Sequence, residues 1–72
     1  MKVVFNNGIE KCVVGEIVGG EGMTKFEALE FLGIDVETQE DCRKAYEAGK
    51  PYAYDYDGMF FIDFENIELE YD

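Results

Sequence analysis

Tyrosines and carboxylates alternate near the end of the chain, and residues 51–72 are its most concentrated group of side chains suited to chemistry or recognition. This segment has seven Asp and Glu residues and no Lys or Arg, and so supplies about seven of the eleven net negative charges. Such a surface repels the phosphate backbone of nucleic acids and attracts basic proteins. We therefore expect a basic protein surface as the partner, with no direct nucleic-acid or membrane binding.

The common catalytic arrangements are excluded by composition. The chain has no His and no Ser, so hydrolase triads, His-ligated metals and His general bases are absent. Paired carboxylates for glycoside hydrolysis need a cleft that holds them about 5 to 9 Å apart, and 72 residues hardly form one. We expect a protein that is not an enzyme and has no cofactor.

One short motif is similar to a calcium-binding loop. Asp55-Tyr56-Asp57-Gly58 has the right residue types, but an EF-hand loop that starts at Asp55 requires Gly at its sixth position and Glu at its twelfth. The Gly stands at the fourth position and Asn66 at the twelfth. The motif instead predicts a hairpin turn, and we expect no metal site.

Length and composition indicate one compact domain over residues 1–72. An apolar content of 47% is enough for a core, although the chain is near the lower size limit for a stable one. Cys12 and Cys42 are too few for a disulfide framework, and we interpret them as reduced, small hydrophobic residues. With no signal-peptide or membrane-spanning pattern, the expected location is the cytoplasm.

The first half of the chain predicts a hairpin followed by two helices. Asn7-Gly8 separates two β-branched runs and favours a type I′ turn that pairs Asn6 with Ile9. Further on, Thr24-Lys25-Phe26-Glu27 is a capping box, and the helix it begins is expected to end near Leu32, before Gly33. A second helix is predicted within residues 38–49.

The last third predicts three strands. Tyrosines alternate up to Asp57-Gly58, a second type I′ turn signal. Beyond it, the apolar positions change parity around Glu65-Asn66, and we interpret this as a tight turn that pairs the last two strands. The predicted fold is α+β, in the order ββααβββ, with an antiparallel sheet and two short helices packed on it.

The second face of this sheet has two alternative environments. It carries Tyr52, Tyr54, Tyr56, Met59 and Phe61. Either the N-terminal hairpin covers the tyrosines, or they form an exposed aromatic patch. A large exposed aromatic patch is typical of an interaction site.

A helix-turn-helix is the alternative interpretation of residues 24–51. Glu27-Ala28, Leu32-Gly33-Ile34 and Thr38, five residues after the glycine, resemble the pattern of excisionase-type DNA-binding domains. That resemblance implies DNA binding through the second helix, with the later hairpin as a wing. The chain departs from the pattern because Glu40 and Asp41 stand where a recognition helix would meet phosphates and base edges.

The favoured hypothesis is an acidic, non-enzymatic interaction module, an inhibitor of phage or mobile-element origin that mimics DNA. Carboxylates at alternate strand positions lie about 6.6 to 6.8 Å apart, on the scale of phosphate spacing. Charge protection of an edge strand is the competing explanation, and a homodimer or other self-association through the tyrosines is a further possibility. The predicted partner-binding residues are Tyr52, Tyr54, Tyr56, Phe61, Asp63, Glu65, Glu68, Glu70 and Asp72.

Overall fold

A computed structural model describes residues 1–71, and Asp72 lies outside the described residues. The observed order confirms the predicted α+β class and the sequence ββααβββ, with a 3-10 helix before the last strand. The elements are β1 (Lys2–Asn6), β2 (Lys11–Glu16), α1 (Lys25–Phe31), α2 (Gln39–Glu47), β3 (Ala53–Tyr56), β4 (Met59–Ile62), the 3-10 helix (Phe64–Asn66) and β5 (Ile67–Glu70).

The strands form two antiparallel sheets, not one. Strand β1 lies between β2 and β5 in the larger sheet, while β3 and β4 form a separate hairpin. The predicted pairing of the last two strands is therefore wrong. In place of a tight turn, the 3-10 helix Phe64–Asn66 carries the chain from one sheet to the other, where Ile67 pairs with Phe5. Phe64 is 39% exposed as a result, whereas Ile67 is fully buried.

The first hairpin forms, but its predicted register is wrong. Asn6 pairs with Lys11, two residues further along than expected. The Asn7 side-chain oxygen accepts hydrogen bonds from the amides of Ile9 and Glu10, and this stabilises a four-residue loop in place of the two-residue turn.

The second hairpin has the predicted turn. Asp57 and Gly58 have φ of 53° and 76°, and Tyr56 pairs directly with Met59. Positive φ at both central residues defines a type I′ turn, whose twist matches that of the flanking strands.

Local signals also set the ends of the helices. At the start of α1, the Glu27 amide donates to the Thr24 hydroxyl and the Thr24 amide donates to the Glu27 carboxylate, so the predicted capping box is confirmed. Both helices end at a glycine with positive φ, Gly33 and Gly49. At Gly33, the two hydrogen bonds of a Schellman motif satisfy the last carbonyls of the helix.

The core lies between the larger sheet, the two helices and the inner side of the β3–β4 hairpin. Helix α1 packs against β1 and β5, whereas α2 packs against β3 and β4. Both cysteines are free thiols; Cys42 is buried and Cys12 is half-buried. The buried members of the core are Val3, Phe5, Ile17, Ala28, Leu29, Cys42, Tyr52, Ile62 and Ile67.

Candidate functional site: an exposed aromatic face

Four apolar side chains share the outer side of the β3–β4 hairpin, and we call Tyr54, Tyr56, Met59 and Phe61 the aromatic face. Tyr54 pairs with Phe61 and Tyr56 pairs with Met59, so all four project in the same direction. The alternate residue Phe60 points to the other side, where its ring contacts a tyrosine of α2 at 5.5 Å between centroids. The helix therefore covers one side of the hairpin and leaves the aromatic face open.

The aromatic face is exposed and locally ordered. Tyr54, Tyr56 and Met59 are 43%, 70% and 46% exposed. The rings of Tyr54 and Phe61 stack with centroids 5.7 Å apart and an interplanar angle of 27°. Cross-strand aromatic pairs stabilise a hairpin, so these side chains are held in place before any partner arrives.

Tyr52 does not belong to this face. It has the same alternation as the exposed tyrosines but is only 5% exposed, and its ring lies 6.5 Å from that of Phe5. Burial raises the pKa of Tyr52, and the nearby Cys12 adds a smaller contribution in the same direction. The prediction that Tyr52 contributes to a partner-binding surface is wrong, because the N-terminal hairpin covers this tyrosine and leaves the other two exposed.

Two of the predicted carboxylates lie in the connection between the sheets. Asp63 follows β4 on the same side as Phe61, and its amide donates to the Tyr52 carbonyl at 2.6 Å. Its carboxylate accepts a hydrogen bond from the Asn66 side chain. Asp63 therefore has a structural role in the turn, while Glu65 is exposed in the 3-10 helix.

The remaining carboxylates lie in the other sheet. Glu68 and Glu70 occupy β5, opposite Val4 and Lys2. Glu70 forms an ion pair with Lys11 of β2 at 3.2 Å, across the central strand. One of the seven acidic residues of the segment therefore has a basic partner, and that partner comes from the N-terminal hairpin. The third member of the predicted row, Asp72, lies outside the described residues.

Sequence reasoning did not include the two carboxylates of the β3–β4 hairpin itself among the candidate residues. Asp55 pairs with Phe60 and so lies on the opposite side of the hairpin from the aromatic face, and Asp57 forms the tip of the hairpin; both are exposed. The signal was present in the Tyr-Asp-Tyr-Asp alternation, but it was interpreted only as a turn and as a similarity to a calcium loop.

Cys42 is not an activated nucleophile. Burial raises the pKa of Cys42 above its ordinary value of 9.0, partly opposed by a hydrogen bond from the Ile62 backbone. Cys42 is therefore a neutral thiol at neutral pH, and the thiolate is the reactive form of cysteine. Within residues 1–71, no group of three or more Cys, Asp or Glu side chains is arranged to hold a metal ion.

Comparisons with known proteins found no matching family model, no matching curated protein and no matching solved structure. In the part of the chain that the structure describes, no helix has the length and apolar character needed to span a membrane. The aromatic face and its carboxylates are thus the features on which a function is argued.

Proposed function

We propose that this protein is a non-enzymatic interaction module whose aromatic face binds a basic surface on a protein partner. The observation that carries the proposal is the exposure of Tyr54, Tyr56 and Met59 together on one side of a two-stranded hairpin. Contiguous exposed apolar patches with polar rims mark interaction sites on soluble proteins.

The residue types fit the centre of a protein interface. Tyrosine is enriched among residues that dominate binding energy, because its ring supplies large contact area and its hydroxyl retains a polar contact. Tyr56 is 70% exposed in the free protein, so a partner can bury most of the surface of this side chain on binding. The Tyr54–Phe61 stack lowers the entropy lost when these rings are immobilised.

The charge of the chain favours a basic partner over a second copy of itself. The net charge is −11, and Asp55 and Asp57 lie on the same hairpin as the aromatic face. Two copies that met through this face would each carry this net charge, and like charges that approach one another oppose association. A basic partner instead gains from electrostatic steering by these groups and by Glu65 and Glu68.

In its specific form, the proposal is a cytoplasmic inhibitor of phage or mobile-element origin that occupies the basic surface of a nucleic-acid-binding protein. The negative field of the whole molecule supports this form. The predicted row of carboxylates on β5 supports it less, because Glu70 is already paired with Lys11.

DNA binding by residues 24–51 is less well supported than protein binding. The two helices pack mainly against different sheets, whereas a helix-turn-helix depends on packing between its helices. The first turn of α2 also carries Glu40 and Asp41, which phosphates would repel. A gel shift with random duplex at low salt tests this alternative directly.

The experiment that tests the proposal uses two double variants. The tagged protein first captures its partner from host lysate, and the affinity of the purified pair is then measured by calorimetry. Tyr54→Ala with Tyr56→Ala removes the exposed rings, while Ile9→Ala with Val18→Ala removes apolar side chains that are 92% and 101% exposed elsewhere.

We expect the tyrosine pair to weaken binding by at least about 30-fold, the equivalent of about 2 kcal/mol for a dominant contact. The control pair should change affinity by less than about threefold, since scattered exposed residues contribute little. Raising the salt concentration about tenfold, from roughly 0.05 to roughly 0.5 M, shortens the Debye length about threefold and should weaken the wild-type complex. Equal losses for the two variants, or a salt-independent affinity, contradict the proposal.

A further inference from the structure

A groove of about 250 Å³ lies beside α1, where the chain turns from α1 towards α2. Its apolar walls are formed by Phe26, Ile34 and Val36. Ile34 and Val36 also pack against the core, whereas Phe26 is half-buried outside the core cluster. A half-buried aromatic ring is thus available to a ligand in the groove.

Hydrogen bonds hold the groove in shape. The Ile34 amide donates to the Leu29 carbonyl at 2.9 Å, which fixes Ile34 immediately after the helix. Further along, the Glu37 amide donates to the Asp35 carboxylate at 2.9 Å, and the Thr38 amide donates to the Asp35 carbonyl at 3.2 Å. The loop is therefore ordered by its own contacts, and little entropy is lost when a ligand enters.

The rim of the groove is entirely acidic. Glu30, Asp35 and Glu37 line it, and no Lys or Arg does. All three are exposed, and the two ion pairs found among residues 1–71 involve other residues. An apolar wall beside unneutralised carboxylates is complementary to a side chain with an aliphatic stem and a cationic head.

We propose that this groove binds one Lys or Arg side chain of the same basic partner that contacts the aromatic face. The stem would pack on Ile34 and Val36, and the cation would lie near Phe26 and pair with Glu30 or Glu37. The volume is below the roughly 300 to 1,000 Å³ typical of small-molecule pockets, which suits a single side chain. This inference rests on the proposed function but concerns a separate site, built from α1 and the loop after it.

The test uses capped amino acids as probes, so that it does not depend on knowing the partner. Acetyl-arginine amide, acetyl-lysine amide and acetyl-norleucine amide are titrated at constant ionic strength into the full chain. Binding is followed by the amide resonance of Gly33 and the methyl resonances of Ile34 and Val36. The norleucine probe has a similar aliphatic stem without the charge, and it therefore separates electrostatic from apolar binding.

The proposal predicts saturable shifts at the groove resonances with the two cationic probes, and at least about tenfold weaker binding of the norleucine probe. The double variant Glu30→Gln with Glu37→Gln should weaken the cationic probes at least fivefold. The control Glu10→Gln with Glu21→Gln removes the same charge from exposed positions elsewhere, and its affinity should stay within twofold of wild type. Each variant is first checked for a native spectrum. Phe26→Leu is a second variant, which replaces the aromatic ring in the groove by a smaller apolar side chain without altering charge.

Three results would overturn the inference: non-saturable shifts spread over the whole acidic surface, equal effects of the two charge variants, or equal binding of the norleucine probe. The aromatic face is read separately through Tyr54, Tyr56 and Met59 with the partner or a basic peptide. A partner that binds there without any effect of Glu30→Gln with Glu37→Gln refutes the groove and leaves the proposed function standing. If no partner or basic peptide binds at the aromatic face while the cationic probes still bind the groove, the proposed function is refuted and the inference about the groove stands.

Discussion

Replacing Tyr52 and Tyr56 separately by alanine should have opposite consequences, although the two tyrosines share one alternating pattern. Tyr52 is 5% exposed and its ring lies 6.5 Å from that of Phe5 in the core. Truncating a buried aromatic side chain costs about 3 to 5 kcal/mol. Tyr56 is 70% exposed, and substitutions at such positions change the free energy of unfolding by no more than about 0.5 kcal/mol.

The difference is large relative to the total stability of so small a protein. A domain of 72 residues has a free energy of unfolding of about 4 to 11 kcal/mol. Tyr52→Ala therefore removes about a quarter or more of it, and the melting temperature should fall by at least about 12 °C. Tyr56→Ala should lower the melting temperature by no more than about 4 °C.

Thermal and urea unfolding, followed by far-UV circular dichroism, measure the melting temperature and the free energy of unfolding of both variants, with tyrosine fluorescence as a second probe because the chain has no Trp. Tyr52→Leu is a milder truncation that keeps the transition measurable if Tyr52→Ala does not fold. Similar losses of stability for the Tyr52 and Tyr56 variants, or a larger loss for Tyr56, would refute the assignment of Tyr52 to the core. A large loss of stability for the Tyr56 variant would also contradict the exposure of the aromatic face.

Two further predictions concern pH and helix capping. Burial raises the pKa values of Cys42 and Tyr52 above their ordinary values of 9.0 and 10.0. As the pH rises, these two groups therefore ionise in the unfolded chain before they ionise in the folded protein. Stability is consequently intact below pH 9 and falls as the pH rises above it. Urea midpoints between pH 7 and 11 should show this fall, and Tyr52→Phe should reduce the part above pH 10; unchanged slopes in that variant count against the burial argument. Thr24→Ala should cost about 1 kcal/mol because the hydroxyl caps α1. Thr38→Ala should cost less, since its side chain caps no backbone amide of α2; thermal melts that rank the two in the reverse order refute this.

Signals confined to a few neighbouring residues predicted structure well. The capping box at Thr24, the glycine at the end of α1 and the Asp57-Gly58 turn are all present. In each case the hydrogen bonds or backbone angles involve residues within about four positions, so the sequence alone contains both partners. Even here competition occurs: the Asn7 side chain bonds two amides of the first loop and shifts the register of the hairpin.

The candidate site could be predicted only in part. Alternation correctly placed Tyr54, Tyr56 and Phe61 on one side of the hairpin. It also placed Tyr52 there, although Tyr52 is buried. Alternation identifies which residues share a side of a strand, but it does not show which part of that side is covered by another element. The sequence likewise contains no sign that Glu70 meets Lys11, since 59 positions separate them along the chain.

The sequence by itself therefore determined the α+β class, the order of the elements, the helix ends, the tight turn of the second hairpin and the strongly negative charge. Each of these depends on composition or on contacts between near neighbours. The tertiary structure alone decided that β5 pairs with β1 in a second sheet. It also decided that Tyr52 packs against Phe5 and that Glu70 meets Lys11. Long-range pairings compete on the fit and burial of whole surfaces, and that competition is resolved only when all the elements pack together.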